Sequence, residues 1–320
     1  MDAVSNKLKT TFVQEDPDNA QRRTVADQPV IIYTKSDAPG RSHGVTGMTF
    51  VVTAPSMPLA KYASIVEVLL SANHVVVGIY VNSLTTEGHR AKAERIPRVF
   101  AELRGDYPRV NKYGIVGHSV GGKIALLTAA LYDDEHDIAS VVAFDPVDQS
   151  PPEFTNPAKL TSAKKGRANL SLPAETDVTL TCTDSADFYR KKAHNARAIH
   201  THNPATKLVM QRNAPHAVYC DEDGVLSWRA LTGKGISPDR NAAVKQEALA
   251  LVKDKARRST LPTLGGGAAG KGKVKTSIFD KAKKAVQSNI DELKELGNDA
   301  KKTGNAFAMS AKMAGVTSGM

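Results

Sequence analysis

Between residues 29 and 258, short unbroken runs of β-branched and aromatic residues alternate with stretches of helical spacing. The runs are Pro29–Tyr33, Met48–Thr53, Val75–Val81, Tyr113–Val116, Ser140–Phe144, Asp177–Cys182 and Thr206–Gln211. Few show the in-out alternation of a half-exposed strand, so they read as strands covered on both faces, the condition of a parallel sheet. Helical spacing runs over 60–71, 87–103, 123–132 and 239–255; in the second stretch Ala91, Ala93, Ile96, Val99 and Leu103 fall on or near one face. The architecture predicted is α/β: a doubly wound, mostly parallel sheet with helices on both faces. Residues 149–176 leave the end of the fifth run rich in Pro, Ala and Lys, with little periodicity, and are expected to form a cap or lid loop. No apolar run approaches the roughly 18–20 residues that span a bilayer. Cys182 and Cys220 are expected to be reduced thiols rather than a bridge.

The fourth run passes directly into Gly117-His118-Ser119-Val120-Gly121-Gly122 and then into an apolar helix. A bare G-x-S-x-G carries little weight; between a strand and a helix it is the setting of a serine nucleophile. Such a turn strains the serine backbone, lifts Oγ above the sheet and places it at the positive end of the helix. There the N–H of Val120 faces a developing oxyanion. The flanking glycines let neighbouring segments approach without a Cβ. A competing phosphate-loop pattern, G-x-x-x-x-G-K-[ST], matches through Lys123 but fails at Ile124, where a magnesium-binding hydroxyl is required.

A serine hydroxyl needs a base. His216, in Asn213-Ala-Pro-His216 after the seventh run, stands where the order nucleophile, acid, histidine places it. The other histidines lie in polar segments or beside strands, and the His118 side chain is expected to point away from the catalytic pocket. The acid, which would accept the Nδ1 hydrogen bond, is left open between two strand ends: Asp145, ahead of Pro146, and Asp184. No histidine–carboxylate grouping has zinc spacing, and neither a metal nor a cofactor is expected.

Gly117-His-Ser-Val-Gly-Gly-Lys123, followed by Ala143-Phe-Asp-Pro-Val-Asp148, resembles the chlorophyllases, whose pattern is a G-H-S-R-G-G-K elbow and an apolar strand ending in D-P-V-D. That family is similar in turn to the platelet-activating-factor acetylhydrolases. The likeness covers roughly residues 45–220. It implies an α/β-hydrolase that cleaves the phytyl ester of chlorophyll to chlorophyllide and phytol in the chloroplast. It also implies Ser119 as nucleophile, His216 as base and Asp145, rather than Asp184, as acid. Two departures bear on the substrate more than on the reaction: Val120 stands for the family's Arg, and the oxyanion loop that normally begins His-Gly reads Thr53-Ala-Pro-Ser-Met57, where the resemblance implies a second oxyanion N–H from Ser56 or Met57. Met57, Leu59, Val147, Pro151, Pro152 and Phe154 flank the expected site, either as an apolar groove for a long-chain ester or as ordinary packing.

Residues 1–28 read as an N-terminal extension without the apolar stretch of a secretory signal. Asp2, Glu15, Asp16 and Asp18 do not suit a transit peptide. With no targeting segment visible, a cytoplasmic setting is expected apart from the resemblance. Residues 259–320 read as a Gly-rich linker and a basic amphipathic tail, with Phe279, Ala282, Val286, Ile290 and Leu293 at three- and four-residue spacing. Ten lysines against five acids there make up half of the net charge of +10. The plain reading is a solvated basic tail; the alternatives are an amphipathic helix that lies on an anionic membrane surface, packs back on the domain or binds a partner. It has no arginine and only two aromatics, so no nucleic-acid surface is predicted. Two further functions fit the same residues: a lipid or small-ester carboxylesterase, and a non-enzymatic membrane- or partner-binding module on a hydrolase scaffold.

Overall fold

Eight described strands form one sheet: β1 (Ala20–Val25), β2 (Gln28–Tyr33), β3 (Gly47–Val52), β4 (His74–Ile79), β5 (Tyr113–His118), β6 (Ile138–Phe144), β7 (Asp177–Thr183) and β8 (Lys207–Gln211). Their spatial order is β1-β2-β4-β3-β5-β6-β7-β8. From β4 to β8 all neighbours are parallel; β2 runs antiparallel to both β4 and β1. The structure is a computed structural model and describes residues 20–35, 44–55, 57–81, 88–133, 137–148, 153–154, 170–183, 195–212, 214–221 and 238–260. The chain divides into two compact units, Met1–Pro262 and Thr263–Met320, and every described residue lies in the first. The expected Gly-rich linker, the tail helix and most of the cap at 149–176 lie outside the described residues.

The period of two along each strand sends alternate side chains into two separate cores. Met48, Phe50 and Val52 of β3, with Val75, Val77 and Ile79 of β4, pack beneath α2 (His89–Leu103), α3 (Val120–Tyr132) and α4 (Asn195–His202). Val51, Val76, Val116 and Val142 face α1 (Ala63–Ser71) and α5 (Pro238–Ser259) on the other side. Every position of β3, β4 and β5 is buried, which is why their sequences are continuous apolar runs. On α2, Ala93, Ile96, Val99, Phe100 and Leu103 form the buried stripe. On α3 every residue from Gly121 to Ala129 is buried, so that helix has no polar face to read.

Among the described residues the sheet begins at Ala20, ahead of the expected Pro29. The expected extension 1–28 therefore includes an edge strand, β1, paired from Ala20↔Tyr33 to Val25↔Gln28. Its sequence, Ala-Gln-Arg-Arg-Thr-Val, carries exposed charge, as edge strands do. Its hairpin turn places Ala26 (φ 47°) and Asp27 (φ 61°) in the left-handed region without the Asn-Gly pair that usually announces such a turn.

His74, at the start of β4, ties α5 to the sheet. Its Nε2 lies 3.1 Å from the Ala256 carbonyl and its Nδ1 lies 2.8 Å from Thr49 Oγ1. A carbonyl only accepts, so Nε2 carries the proton and Thr49 donates to Nδ1. Burial lowers the His74 pKa from 6.5 to about 4. The neutral ring therefore contributes stability that is complete above the unfolded-state value and is lost as pH falls from 6.5 towards 4. The contribution is about 3 kcal/mol. Denaturant unfolding at pH 7 and pH 4.5 is expected to show a steeper acid loss for the wild type than for His74→Gln; equal slopes would remove this role.

The docking of α3 is set by glycine. A Cβ on Gly121 would lie 2.3 Å from the Val52 carbonyl oxygen and 2.5 Å from that of Thr53, and one on Gly117 would lie 2.3 Å from the Gly121 oxygen. These are backbone atoms that cannot swing aside. Gly121→Ala is expected to lower stability by about 3 kcal/mol or more. That corresponds to a drop in thermal midpoint of roughly 10 °C. Gly88→Ala, whose Cβ meets nothing within 4 Å, is expected to leave the midpoint nearly unchanged.

Candidate active site

Ser119 sits between β5 and α3 with φ 59° and ψ −121°. A non-glycine residue in this region costs about 1–3 kcal/mol and persists only where its surroundings fix it. Here they do. Its N–H donates to the Phe144 carbonyl at 2.9 Å, and its carbonyl accepts from Val147 N–H at 3.0 Å and Lys123 N–H at 3.2 Å. The elbow is thus bonded to the turn after β6, where Asp145 has φ 43°. The N–H of Val120 lies in the first turn of α3, where no intrahelical acceptor exists. Met57 N–H donates to the Ala54 carbonyl at 3.1 Å and closes a turn, which removes it from the expected oxyanion donors in this arrangement. Ser56 lies outside the described residues.

His216 opens a short 3-10 turn, His216–Tyr219, that follows β8. Its ring is buried, and its Nδ1 lies 2.7 Å from Asp145 Oδ2. Of the two candidate acids, Asp145 makes this hydrogen bond; Asp184 lies outside the described residues. The same Oδ2 accepts from Thr183 Oγ1 at 2.5 Å, and Oδ1 accepts from Thr183 N–H at 3.4 Å. Asp145 N–H donates to Thr181 Oγ1 at 3.1 Å. Thr181 in turn meets the Tyr219 hydroxyl at 2.7 Å, and that hydroxyl donates to Gln211 Oε1 at 2.5 Å. The spacing of Thr181 and Thr183 on the strand next to β6 is the signal by which sequence reading could have found them. Ser119 Oγ and His216 Nε2 are not hydrogen-bonded to one another. Such contacts are commonly loose in a resting site and tighten around substrate.

His118 corrects an expectation. Its ring does not turn away from the site but lies against His216, with centroids 4.8 Å apart and Nε2 2.9 Å from the His216 carbonyl. Lys123 lies 3.4 Å from Asp148 Oδ1 with both side chains fully buried, which joins the ends of the two sequence motifs and gives the lysine of the phosphate-loop pattern a carboxylate partner. Burial lowers the Lys123 pKa, opposed by Asp148 and Glu153. Asp148 also accepts the N–H groups of Glu153 and Phe154 at 2.8 and 2.9 Å, fixing the next described residues along the chain. Met57, Leu59, Val147 and Phe154 are all buried, as packing rather than as open groove walls; Pro151 and Pro152 lie outside the described residues. Both cysteines are free thiols, and burial pushes Cys220 up to about 12. Among the described residues no three His, Cys, Asp or Glu side chains group as metal ligands.

No protein-family model matches the chain, and no curated protein matches its sequence. Among solved structures, the chain is similar to Est1E from Butyrivibrio proteoclasticus, with 12% identity, a TM-score of 0.50 and coverage of 74% of this chain and 98% of that one. It is also similar to the HSL-homolog EstE7 from a metagenome library, with 10% identity, a TM-score of 0.49 and coverage of 79% and 92%. A third likeness is to a hydrolase of Thermoplasma acidophilum described as CIB-like, with 12% identity, a TM-score of 0.46 and coverage of 73% and 97%. At these identities the likeness is one of fold. With its eight-stranded, mostly parallel sheet, helices on both faces and strand-to-helix elbow, the chain has the α/β-hydrolase fold.

Proposed function

We propose that the protein is a serine hydrolase of carboxylic esters that works through an acyl-enzyme. The observation that carries this reading is the 2.7 Å hydrogen bond from His216 Nδ1 to Asp145 Oδ2 beside a serine held in the strained elbow. With Nδ1–H donated to the carboxylate, the tautomer presents the Nε2 lone pair as the proton acceptor. His216 takes the Ser119 proton as Oγ attacks the ester carbonyl. The oxyanion forms against the Val120 N–H and, from the 53–57 loop, the N–H of Ser56. Collapse breaks the bond to the alcohol, which leaves with the proton from His216. Water then attacks the acyl group by the same proton path in reverse and regenerates Ser119.

The phytyl ester of chlorophyll is the substrate suggested by the paired motifs around Ser119 and Asp145. The buried Lys123–Asp148 pair supports reading those motifs as one unit. A second reading, a lipid or small-ester carboxylesterase, is favoured by Val120 at the family's Arg position and by the altered 53–57 loop.

A fluorophosphonate probe is expected to label Ser119. Ser119→Ala is expected to abolish labelling and to lower ester turnover by about 10⁴-fold or more, since such residues act as a unit. A folded wild type that takes no label would return the chain to the non-enzymatic scaffold reading. Parallel assays of chlorophyllide release and of p-nitrophenyl butyrate hydrolysis distinguish the two substrate readings. Chlorophyllide release with the higher kcat/KM supports the phytyl ester; turnover of the short ester alone assigns the second.

A further inference from the structure

The residue before the proposed nucleophile has no part in the mechanism above, yet it is buried at the meeting point of three site segments. His118 is 3% exposed, with its ring packed against those of Tyr62, His216 and Tyr219. Its hydrogen bonds admit one arrangement of protons. The His216 carbonyl, 2.9 Å from Nε2, can only accept, so Nε2 carries the hydrogen. The other nitrogen, Nδ1, is then an acceptor in the neutral ring, and the Tyr62 hydroxyl 2.9 Å away donates to it. The Tyr62 oxygen in turn accepts the N–H of Ala54 at 3.0 Å. Cys220 Sγ, 3.8 Å from Nδ1, is a weaker neighbour. Burial, with the nearby His216, holds the His118 pKa well below its ordinary value, and burial raises that of Tyr62. The imidazole is therefore neutral and the phenol keeps its proton.

We propose that His118 is a positioning residue that pins the main chain of His216 from inside the elbow and, through Tyr62, pins the oxyanion loop at Ala54. The proposal rests on the serine-hydrolase reading. Asp145 fixes the rotation of the His216 ring through Nδ1, but it does not fix where the backbone holds that ring. The His216 carbonyl is held by Nε2–H of His118, which is one bond along the chain from Ser119. Loss of that donor leaves a carbonyl without this bond in a buried setting and lets the base loop relax. A displacement of about 1 Å at such a site costs on the order of 100-fold in rate.

Three variants separate positioning from packing. His118→Gln places an amide N–H near the position of Nε2, His118→Met fills the volume without a donor, and Tyr62→Phe removes only the hydroxyl. Each is assayed for kcat and KM on p-nitrophenyl butyrate, for the rate of fluorophosphonate labelling, and for thermal midpoint. His118→Met is expected to lose about 100-fold in kcat and in labelling rate, with KM within about twofold of wild type. His118→Gln is expected to recover to within about fivefold of wild type, although both variants lose the same ring packing and fall similarly in thermal midpoint. Tyr62→Phe is expected to lose about tenfold in kcat. A folded His118→Met with kcat within threefold of wild type overturns the proposal, as does a His118→Gln no more active than His118→Met (about threefold being the resolution required). If His118→Met does not fold, Tyr62→Phe decides alone, and wild-type kcat there overturns the proposal. Failure of the hydrolase reading is distinguishable, because the wild type itself would then take no label at Ser119.

Discussion

The site depends on a contact made without side chains. Helix α3 reaches the end of β3 so closely that a Cβ on Gly121 would fall 2.3 Å from the Val52 carbonyl oxygen, and this approach fixes where the chain turns at Ser119. That turn holds Ser119 at positive φ, and the turn bonded to it after β6 holds Asp145 likewise, each at a cost of about 1–3 kcal/mol. That strain is offset by burial of the whole inner length of α3, from Gly121 to Ala129, and by the bonds that join Ser119 to Phe144 and Val147. Packing energy from the core is thereby converted into a fixed position for one hydroxyl.

Polar groups near the elbow are organised by the same logic. Burial would raise the Asp221 pKa, but hydrogen bonds from Lys245 and Ser64 reverse this and hold it below its usual value. Asp221 accepts the N–H and hydroxyl of Ser64 and the Lys245 ammonium, and its own N–H donates to the Lys61 carbonyl at 2.6 Å. The 3-10 turn that carries His216 is therefore clamped at its far end to the start of α1. His118 and Asp145 hold its near end. On the opposite side of the elbow, Lys123 and Asp148 form an ion pair so buried that its desolvation offsets much of its attraction. Its role in the fold is to join α3 to the residues leaving β6.

The parallel strands β3 to β7 were legible because burial on both faces demands mainly apolar runs; antiparallel β2 and half-buried β8 also lie where short apolar runs predict. The edge strand β1 was not, because its solvent-facing residues include Arg22 and Arg23 and its turn uses Ala26 where glycine or asparagine is usual. Ser119 could be read from the strand and helix around it, and His216 from its place after the last strand. The bond between Asp145 and His216 is a fact of three dimensions, for which sequence spacing left two aspartates. His118 was misread because only the adjacency of β5 to the His216 turn reveals that a residue inside the elbow can bond to the base loop.

On the proposed reading, reaction and substrate are written in different parts of this chain. The elbow's chemistry is carried by the N–H of Val120, which any residue except proline supplies at that position. The side chain of Val120 is half-buried and packs against the core beneath α3. A guanidinium there would have to leave that core and carry its charge to the rim of the site. On the proposed reading, Val in place of Arg at this position keeps the backbone donor and leaves the site without that cation. A change of that kind would bear on which ester is held and not on the backbone chemistry that cleaves it.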